Sequence, residues 1–362
     1  MKILEIVPNL NSGGGEKFTV DLTNALADAG HDCTIATLYD PNTNDILRSY
    51  IEPKVITLSF SKRLGADFRC MLRISKYIRK HKPDIVHAHL SAIMYILVAA
   101  IFCRKTRFFA TIHSEAKREA GAGLSKWIRK FLFRYNLTKA ITISEESEKS
   151  FEDFYGFSTT IIQNGCSKYK ASANSVEQYT KYRENVDFLF MHAGRIHKVK
   201  NQEMLVKAFD KVVKNGVNAR LIIAGRAEDK EVFEQIEPYL SDKIMYIGEQ
   251  SDIRAIMSVS DGFCLSSTME GMPITIIEAF SVGCVPIVTP VGGCINMIQN
   301  EYNGYISKSV SIDDYYASIM QFANASKEIK ERLKLQCLKE YQERYSIDNT
   351  AKNYINIFCY GK

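Results

Sequence analysis

The chain has no Cys-x-x-Cys pair, a single tryptophan, eight prolines and no apolar run longer than twelve residues. Each shortage excludes something. Nine cysteines, odd in number and scattered over strand-like and helix-like positions, form neither a disulfide framework nor a zinc-binding pattern. They read as buried thiols of a reducing compartment. The longest apolar stretch, residues 92–103 (AIMYILVAAIFC), is shorter than the roughly 20 residues that span a bilayer, so a buried helix is expected there. The opening MKILEIVPNL reaches Pro8 too soon for a signal peptide and reads as a first strand. A cytoplasmic location is expected. With 46% hydrophobic and 24% charged residues, the composition is that of an ordered globular protein, not a disordered or collagen-like one.

What is present comes in two halves. At 362 residues the chain exceeds a single core and suits two domains of roughly 150–200 residues. Short β-rich runs alternate with helix-period segments throughout, the pattern of layered α/β domains with parallel sheets. Strands are expected at residues 3–7, 33–37, 54–58, 84–87, 107–111, 140–143 and 160–163. After a polar stretch the alternation restarts, with strands at 188–192, 219–224, 244–247, 262–265 and 285–288. Helices are expected at 16–29, 202–214, 230–240 and 274–282, and the chain reads as all helical from about residue 313. The expected fold is thus two doubly wound Rossmann-like domains facing across a cleft. Their spans are 1–165 and 187–340, with a linker at 166–186 and a C-terminal helix, 341–362, packing back on the first domain.

The net charge of +6 is unevenly spread. Residues 61–140 hold eighteen Lys and Arg against four Asp and Glu, so the remainder of the chain is net acidic. A basic excess confined to part of one domain points to a polyanionic surface, membrane or nucleic acid.

The richest stretch for chemistry is residues 266–293, SSTMEGMPITIIEAFSVGCVPIVTPVGG. Pro273 stands where a helix starts, a position suited to a residue without an N–H. The amides of Ile274, Thr275 and Ile276 are then expected to face a phosphate. Glu270 and Gly271 lie on the loop before, and Glu278 one turn into the helix. A carboxylate there can accept two hydrogen bonds from a ribose diol, or it can merely complement the helix dipole. After the strand at 188–192 comes Gly194-Arg195 with Lys200. Two cations on a strand-end loop can neutralise a diphosphate without a metal, though a lone pair of surface cations is more often only solvated. Gly13-Gly14-Gly15-Glu16, between first strand and first helix, allows close backbone approach to a ligand. It is not the dinucleotide fingerprint, since Phe18 stands where the third glycine would be. His113 follows the fifth strand, and a lone histidine is more often structural than catalytic.

Taken together, Glu270-x7-Glu278, Arg195-x4-Lys200, the Gly-Gly-x-Glu turn, DIVHAH at 84–89, Asn164-Gly165 and the strand-end His113 resemble one family. The chain resembles, over essentially its whole length, the family 4 retaining glycosyltransferases of GT-B fold, of bacterial surface-polysaccharide type. The resemblance implies a nucleotide-sugar donor held mainly by the second domain and an acceptor held by the first. It implies that Arg195 and Lys200 bind the donor diphosphate, Glu278 the nucleotide ribose and Glu270 the sugar hydroxyls. His113 would lie beside the transferred sugar, and Gly14 and Gly15 close to the phosphates. Catalytic work would fall to Glu270, His113, Arg195 and Lys200. The family's course is same-face attack by the acceptor hydroxyl, the leaving phosphate taking its proton. No metal or other cofactor is expected, and the sequence has no Asp-x-Asp. A UDP-sugar is the favoured donor.

Other classes fit less well. A dinucleotide oxidoreductase needs the missing glycine fingerprint. A sugar-binding protein would need export, and nucleic-acid binding would need a motif that is absent. A GT-B epimerase or phosphorylase acting on a nucleotide sugar or sugar phosphate is the nearest alternative. The basic stretches at 62–82 and 117–134 bear on the acceptor. In the second, Leu124, Trp127, Ile128, Phe131 and Leu132 recur at helical spacing among Lys126, Arg129, Lys130 and Arg134. Such a helix either packs on the sheet or lies in a headgroup layer. The charge balance favours the second, predicting a peripheral enzyme that uses residues 61–140 to meet an anionic membrane, on the inner face of the cell membrane, and extends a lipid-linked glycan.

Overall fold

The computed structural model describes residues 1–360 apart from Ser12, Asn44, Ala122, Ala171 and Ser172, and apart from the side chains of residues 173–175. The chain divides into two compact units. One comprises Met1–Ser167 together with the chain from Tyr345 onward, the other Lys168–Arg344.

The first unit is a seven-stranded sheet in the order β3-β2-β1-β4-β5-β6-β7, every neighbouring pair parallel. Its strands are β1 (Lys2–Val7), β2 (Asp32–Thr37), β3 (Ile56–Ser59), β4 (Ile85–His89), β5 (Arg107–Ile112), β6 (Lys139–Thr142) and β7 (Thr160–Ile161). The central strands are buried along nearly their whole length because helices cover both faces, the reason parallel strands lose the alternation of a half-exposed sheet. The second unit repeats the plan with six strands in the order β10-β9-β8-β11-β12-β13. These are β8 (Phe188–Ala193), β9 (Ala219–Ala224), β10 (Ile244–Tyr246), β11 (Gly262–Leu265), β12 (Val285–Val288) and β13 (Tyr305–Ile306). In each sheet the strand order reverses once, between β1 and β4 and between β8 and β11. Ligands of open α/β sheets bind beyond the carboxyl ends of the strands at that reversal.

Several expectations need adjusting. The strand expected at 54–58 lies at Ile56–Ser59, the one expected at 160–163 spans only Thr160–Ile161, and β13 has no counterpart among the expected strands. The first helix is Gly14–Asp28, starting earlier than residue 16 because the glycines themselves form its first turn. The helix expected at 230–240 stops at Ile236, where a 3-10 turn containing Pro238 follows. The apolar run 92–103 is a 3-10 helix, Leu90–Ile96, continued by the helix Leu97–Phe102. Half of its residues are buried, but Phe102 is exposed. The basic stretch 117–134 is two helices, Ala116–Ala120 and Leu124–Arg134, parted where Gly121 and Gly123 take positive φ.

Within 166–186, the helix Ala173–Thr180 is fastened to the second unit: the Tyr179 hydroxyl donates to Gln250 (2.9 Å), and Arg183 pairs with Asp261 (2.9 Å). The last helix, Ile347–Tyr360, belongs to the first unit, where Tyr354 and Phe358 are buried against His87 and Phe109. Among the described residues no helix is long and apolar enough to cross a membrane.

Candidate active site

The expected site residues fall at strand ends beside the two reversals. Arg195, Lys200, Glu270, Gly271, Ile274, Thr275, Ile276 and Glu278 lie in the second unit, and Gly14, Gly15 and His113 in the first.

In the second unit a buried histidine ties the pieces together. His192, near the end of β8, donates from Nδ1 to the Cys264 carbonyl (2.9 Å), which leaves Nε2 to accept from the Gln202 amide (3.1 Å). That amide also donates to the Arg195 carbonyl (2.8 Å), and Gln202 Oε1 accepts the His197 N–H (3.3 Å). Burial holds the His192 pKa down at about 4, so the ring is neutral near pH 7 and this donor–acceptor assignment is fixed.

The loop so anchored carries Lys200, whose Nζ donates to Glu270 Oε1 (2.7 Å). Ser267 donates its hydroxyl to the same oxygen (2.5 Å). The Ser266 hydroxyl donates to the Lys200 carbonyl (2.8 Å), stitching the loops after β8 and β11 side by side. Gly292 and Gly293 lock this arrangement from below. A Cβ on Gly292, at φ +46°, would lie 1.8 Å from the Glu270 carbonyl, and one on Gly293 would lie 2.0 Å from the Gly271 carbonyl. Only glycine permits two backbones that close.

Glu278 is buried on the helix Ile274–Val282, whose N-cap is Pro273. The three expected phosphate-facing amides are reduced here. The Ile276 N–H donates to the Pro273 carbonyl (3.1 Å), because that carbonyl closes the first turn, so Ile276 is not an open donor. Arg195 is half exposed and donates from Nη1 to both carboxylate oxygens of Glu228 (3.0 and 2.8 Å).

The first unit has a different character. Gly13 caps the helix Gly14–Asp28, and a Cβ on Gly15 would meet Leu90 at 3.2 Å and the His113 ring at 3.4 Å. The His113 N–H donates to Glu119 Oε2 (2.7 Å), and Glu119 Oε1 accepts from Arg129 (3.3 Å). Arg129 also donates to the Leu90 carbonyl (2.6 Å) and is fully buried, so it is not one of the charges that a membrane surface could meet. It lies on the buried face of the helix Leu124–Arg134, together with Ile128 and Leu132.

Behind His113 lies a chain of polar groups that the sequence reading did not assign. His113 Nε2 is 2.9 Å from His89 Nδ1, and His89 Nε2 is 2.8 Å from Glu5 Oε2. His87 Nε2 is 2.8 Å from the Thr111 hydroxyl, itself 2.8 Å from the Tyr354 hydroxyl. Glu5, His87 and His89 are fully buried. Among the described residues these three are also the one carboxylate–imidazole group close enough to surround a cation. Both nitrogens of His89 are already taken by hydrogen bonds, so the trio reads as a hydrogen-bonded chain. The available signal was the spacing in DIVHAH: two histidines on one side of a strand buried on both faces must find partners in the core.

Comparisons with known proteins identify the family. The profile for glycosyl transferases group 1 matches residues 177–336, and that for Glycosyltransferase Family 4 matches residues 12–167. The chain belongs to the family 4 glycosyltransferases of GT-B fold. Among similar proteins is an Escherichia coli enzyme, UDP-Gal:alpha-D-GlcNAc-diphosphoundecaprenol alpha-1,3-galactosyltransferase, 26% identical over 77% of this chain and 75% of its own. Another, from Campylobacter jejuni, is an alpha-1,4-N-acetyl-D-galactosaminyltransferase acting on a GalNAc-containing diNAcBac-PP-undecaprenol; it is 25% identical over 93% and 94% of the two chains. Anabaena HepE, solved in complex with UDP, superposes with a TM-score of 0.81 at 19% identity, covering 99% of this glycosyltransferase and 100% of HepE.

Proposed function

We propose that this glycosyltransferase moves a sugar, with retention of anomeric configuration, from a UDP-sugar to a hydroxyl of a lipid-linked glycan in the assembly of a bacterial surface polysaccharide. The observation that carries the reading is the Lys200–Glu270–Ser267 cluster at the strand-order reversal of the second unit. A UDP-sugar donor is supported by the activity of the Escherichia coli relative, and a lipid-linked glycan acceptor by the activities of both bacterial relatives. In this assignment Lys200 and Arg195 face the diphosphate, the amides of Ile274 and Thr275 add dipolar stabilisation, Glu278 holds the ribose and Glu270 the sugar hydroxyls. Gly14 and Gly15 give the phosphates room, Gly271 lets the loop approach, and His113 stands beside the transferred sugar.

The bond from the anomeric carbon to the phosphate oxygen breaks as the bond to the acceptor oxygen forms on the same face. The acceptor's proton goes to the departing phosphate. Charge builds on the leaving diphosphate, so preorganised cations and amides give the largest contribution to the rate. Because Arg195 and Lys200 supply that positive charge, transfer is expected to continue in EDTA. Loss of activity on chelation, restored by magnesium or manganese, would overturn that part.

Membrane association belongs to the same reading. Two exposed apolar series stand among the cations of residues 61–140: Leu64, Phe68 and Leu72, and Leu124, Trp127, Phe131 and Tyr135. Phe68 and Leu72 lie on the helix Phe68–His81, with Leu64 on the loop before it, and the second series follows the helix Leu124–Arg134; both have basic neighbours such as Arg69, Lys126 and Lys130, as in helices that lie in a headgroup layer. We therefore place the enzyme on the inner, anionic face of the cell membrane, with these residues, not Ile128 and Leu132, meeting lipid.

A thermal-shift screen of nucleotide sugars tests the donor, since ligand at 100 times its dissociation constant adds about 2.7 kcal/mol of stability. Product anomers determined by NMR test retention. Sedimentation with vesicles of rising anionic-lipid content tests the surface, and binding indifferent to lipid charge and salt would overturn it.

A further inference from the structure

The chain behind His113 has a direction, and the direction is set by Glu5. An ionised carboxylate only accepts hydrogen bonds. The hydrogen between Glu5 Oε2 and His89 Nε2 therefore belongs to His89. A neutral imidazole with hydrogen on Nε2 offers a bare lone pair at Nδ1. The hydrogen between His89 Nδ1 and His113 Nε2 must then belong to His113. That leaves His113 Nδ1 as a lone pair on a residue that is still partly exposed. Each step is forced once Glu5 is ionised and His89 neutral. Burial alone would raise the Glu5 pKa, but His87 and His89 together hold it at about 2. Burial, with His87 nearby, holds His89 at about 4.

We propose that Glu5 and His89 are positioning residues that fix His113 as the Nε2–H tautomer, so that its Nδ1 accepts a hydrogen bond from a substrate hydroxyl. The inference rests on the reading of His113 as a site residue and adds what holds it there. Reversing any link would present an N–H in place of the lone pair, and a ring that donates cannot select for a donating hydroxyl. His87 does not replace His89 in this role. Its Nδ1 lies 2.9 Å from the same Glu5 oxygen but off the hydrogen-bond direction, and its Nε2 is engaged with Thr111. The only other described group bonded to the His113 residue is Glu119, which takes the backbone N–H rather than the ring. Phe18 packs edge-on to the ring, centroids 5.6 Å apart, and adds no competing donor.

Long-range 1H–15N spectra of the intact protein labelled at histidine report the tautomer directly, with His113 assigned by the signals lost in His113→Gln. The native ring is expected to carry hydrogen on Nε2. His89→Asn places a side-chain oxygen near the position of Nδ1 and keeps an acceptor for His113. His89→Gln places an amide near Nε2, keeping the bond to Glu5 but removing that acceptor. The Asn variant is therefore expected to retain the tautomer and most of kcat, whereas the Gln variant shows mixed tautomers and a kcat lower by about tenfold, the scale of one lost hydrogen bond. KM for the donor should stay within about twofold in both, since neither variant removes a donor-diphosphate contact. Hydrogen on Nδ1 of native His113, a measurement that needs no variant to fold, would overturn the relay. So would Asn and Gln variants with the same tautomer and rate. Full transfer by His113→Gln, with the native tautomer as expected, would overturn instead the reading of His113 on which the relay rests.

Discussion

The two units share a parallel, doubly wound sheet and place polar residues at equivalent strand ends, yet the two sets of residues are held in opposite ways. In the first unit the charges are sealed: Arg129 and Glu119 have side chains 1% and 6% exposed, and Glu5 is wholly buried. In the second, Lys200 with Glu270 is partly open and Arg195 with Glu228 is open, at 51% and 35%. Sealed pairs fix geometry, while open pairs can exchange one partner for another. A fold frame thus sets where polar groups gather but not what they do, which burial decides.

The comparison breaks first at Arg129. Removing one partner of a buried pair leaves the other charged and unpaired, at a cost of about 3–5 kcal/mol. Arg129→Ala should therefore lower stability in denaturant by that order and loosen the His113 loop that Glu119 holds. A change below about 1 kcal/mol would mean the pair is not sealed.

Acid should then strike both units in one pH window. His89 in the first and His192 in the second are held at about 4 by burial, against a usual value of 6.5. The unfolded chain binds their protons at higher pH than the folded one. Their contribution is complete above about pH 6.5 and is lost as pH falls toward 4, by up to about 1.4 kcal/mol per pH unit for each. The Glu5 carboxylate, lowered from 4.5 to about 2, acts in a lower window, its contribution being lost between those values. Unfolding free energies measured from pH 7 to pH 4 check this, and a flat profile would show that the two histidines are hydrated.

The third test reads rate instead of stability. Lys200→Ala and Glu278→Ala should lower transfer by about 10- to 150-fold, the loss of a charge-assisted contact worth ~1.5–3 kcal/mol. Lys200→Ala should change stability by about 1 kcal/mol or less, because its pair is only partly buried. Full turnover by either variant with purified donor would sink the second-unit assignment.

The sequence carried the frame of this molecule well and its interior poorly, for a physical reason. Parallel strands and helix periods leave apolar patterns that survive in one dimension, so the alternation in both halves could be read. Of the two strands only two residues long, β7 continues into the apolar Ile162 and could be read, whereas β13 is flanked by Gly304 and Ser307 and could not. Arg195, Lys200, Glu270 and Glu278 stood out through their spacing after strands. By contrast, Glu5, Gln202 and Glu119 act through partners that the chain brings from 84, 10 and 6 residues away, and nothing local marks a polar side chain as a buried partner. The basic helix shows the same limit. Arg129 looks like Lys126 and Lys130 in sequence, and its burial against Glu119 and the Leu90 carbonyl shows only in the fold.

The smallest expected effect lies at the most open pair, and it tests the exchange idea most directly. Arg195 donates from Nη1 to both oxygens of Glu228, so a diphosphate that takes this nitrogen must displace a carboxylate first. Glu228→Gln keeps the shape of the partner and removes its charge. An exposed pair contributes about 0–1 kcal/mol, so the melting temperature should move by about 2 °C or less. Donor affinity should rise by a few-fold at most, because Arg195 then gives up a neutral partner instead of an ionised one. The gain should shrink as salt is raised, since screening already weakens the native pair. Calorimetric titration of UDP at two ionic strengths reads both outcomes. If the variant binds less tightly instead, Glu228 holds Arg195 in its working position, and the second unit is fixed by charge just as the first is.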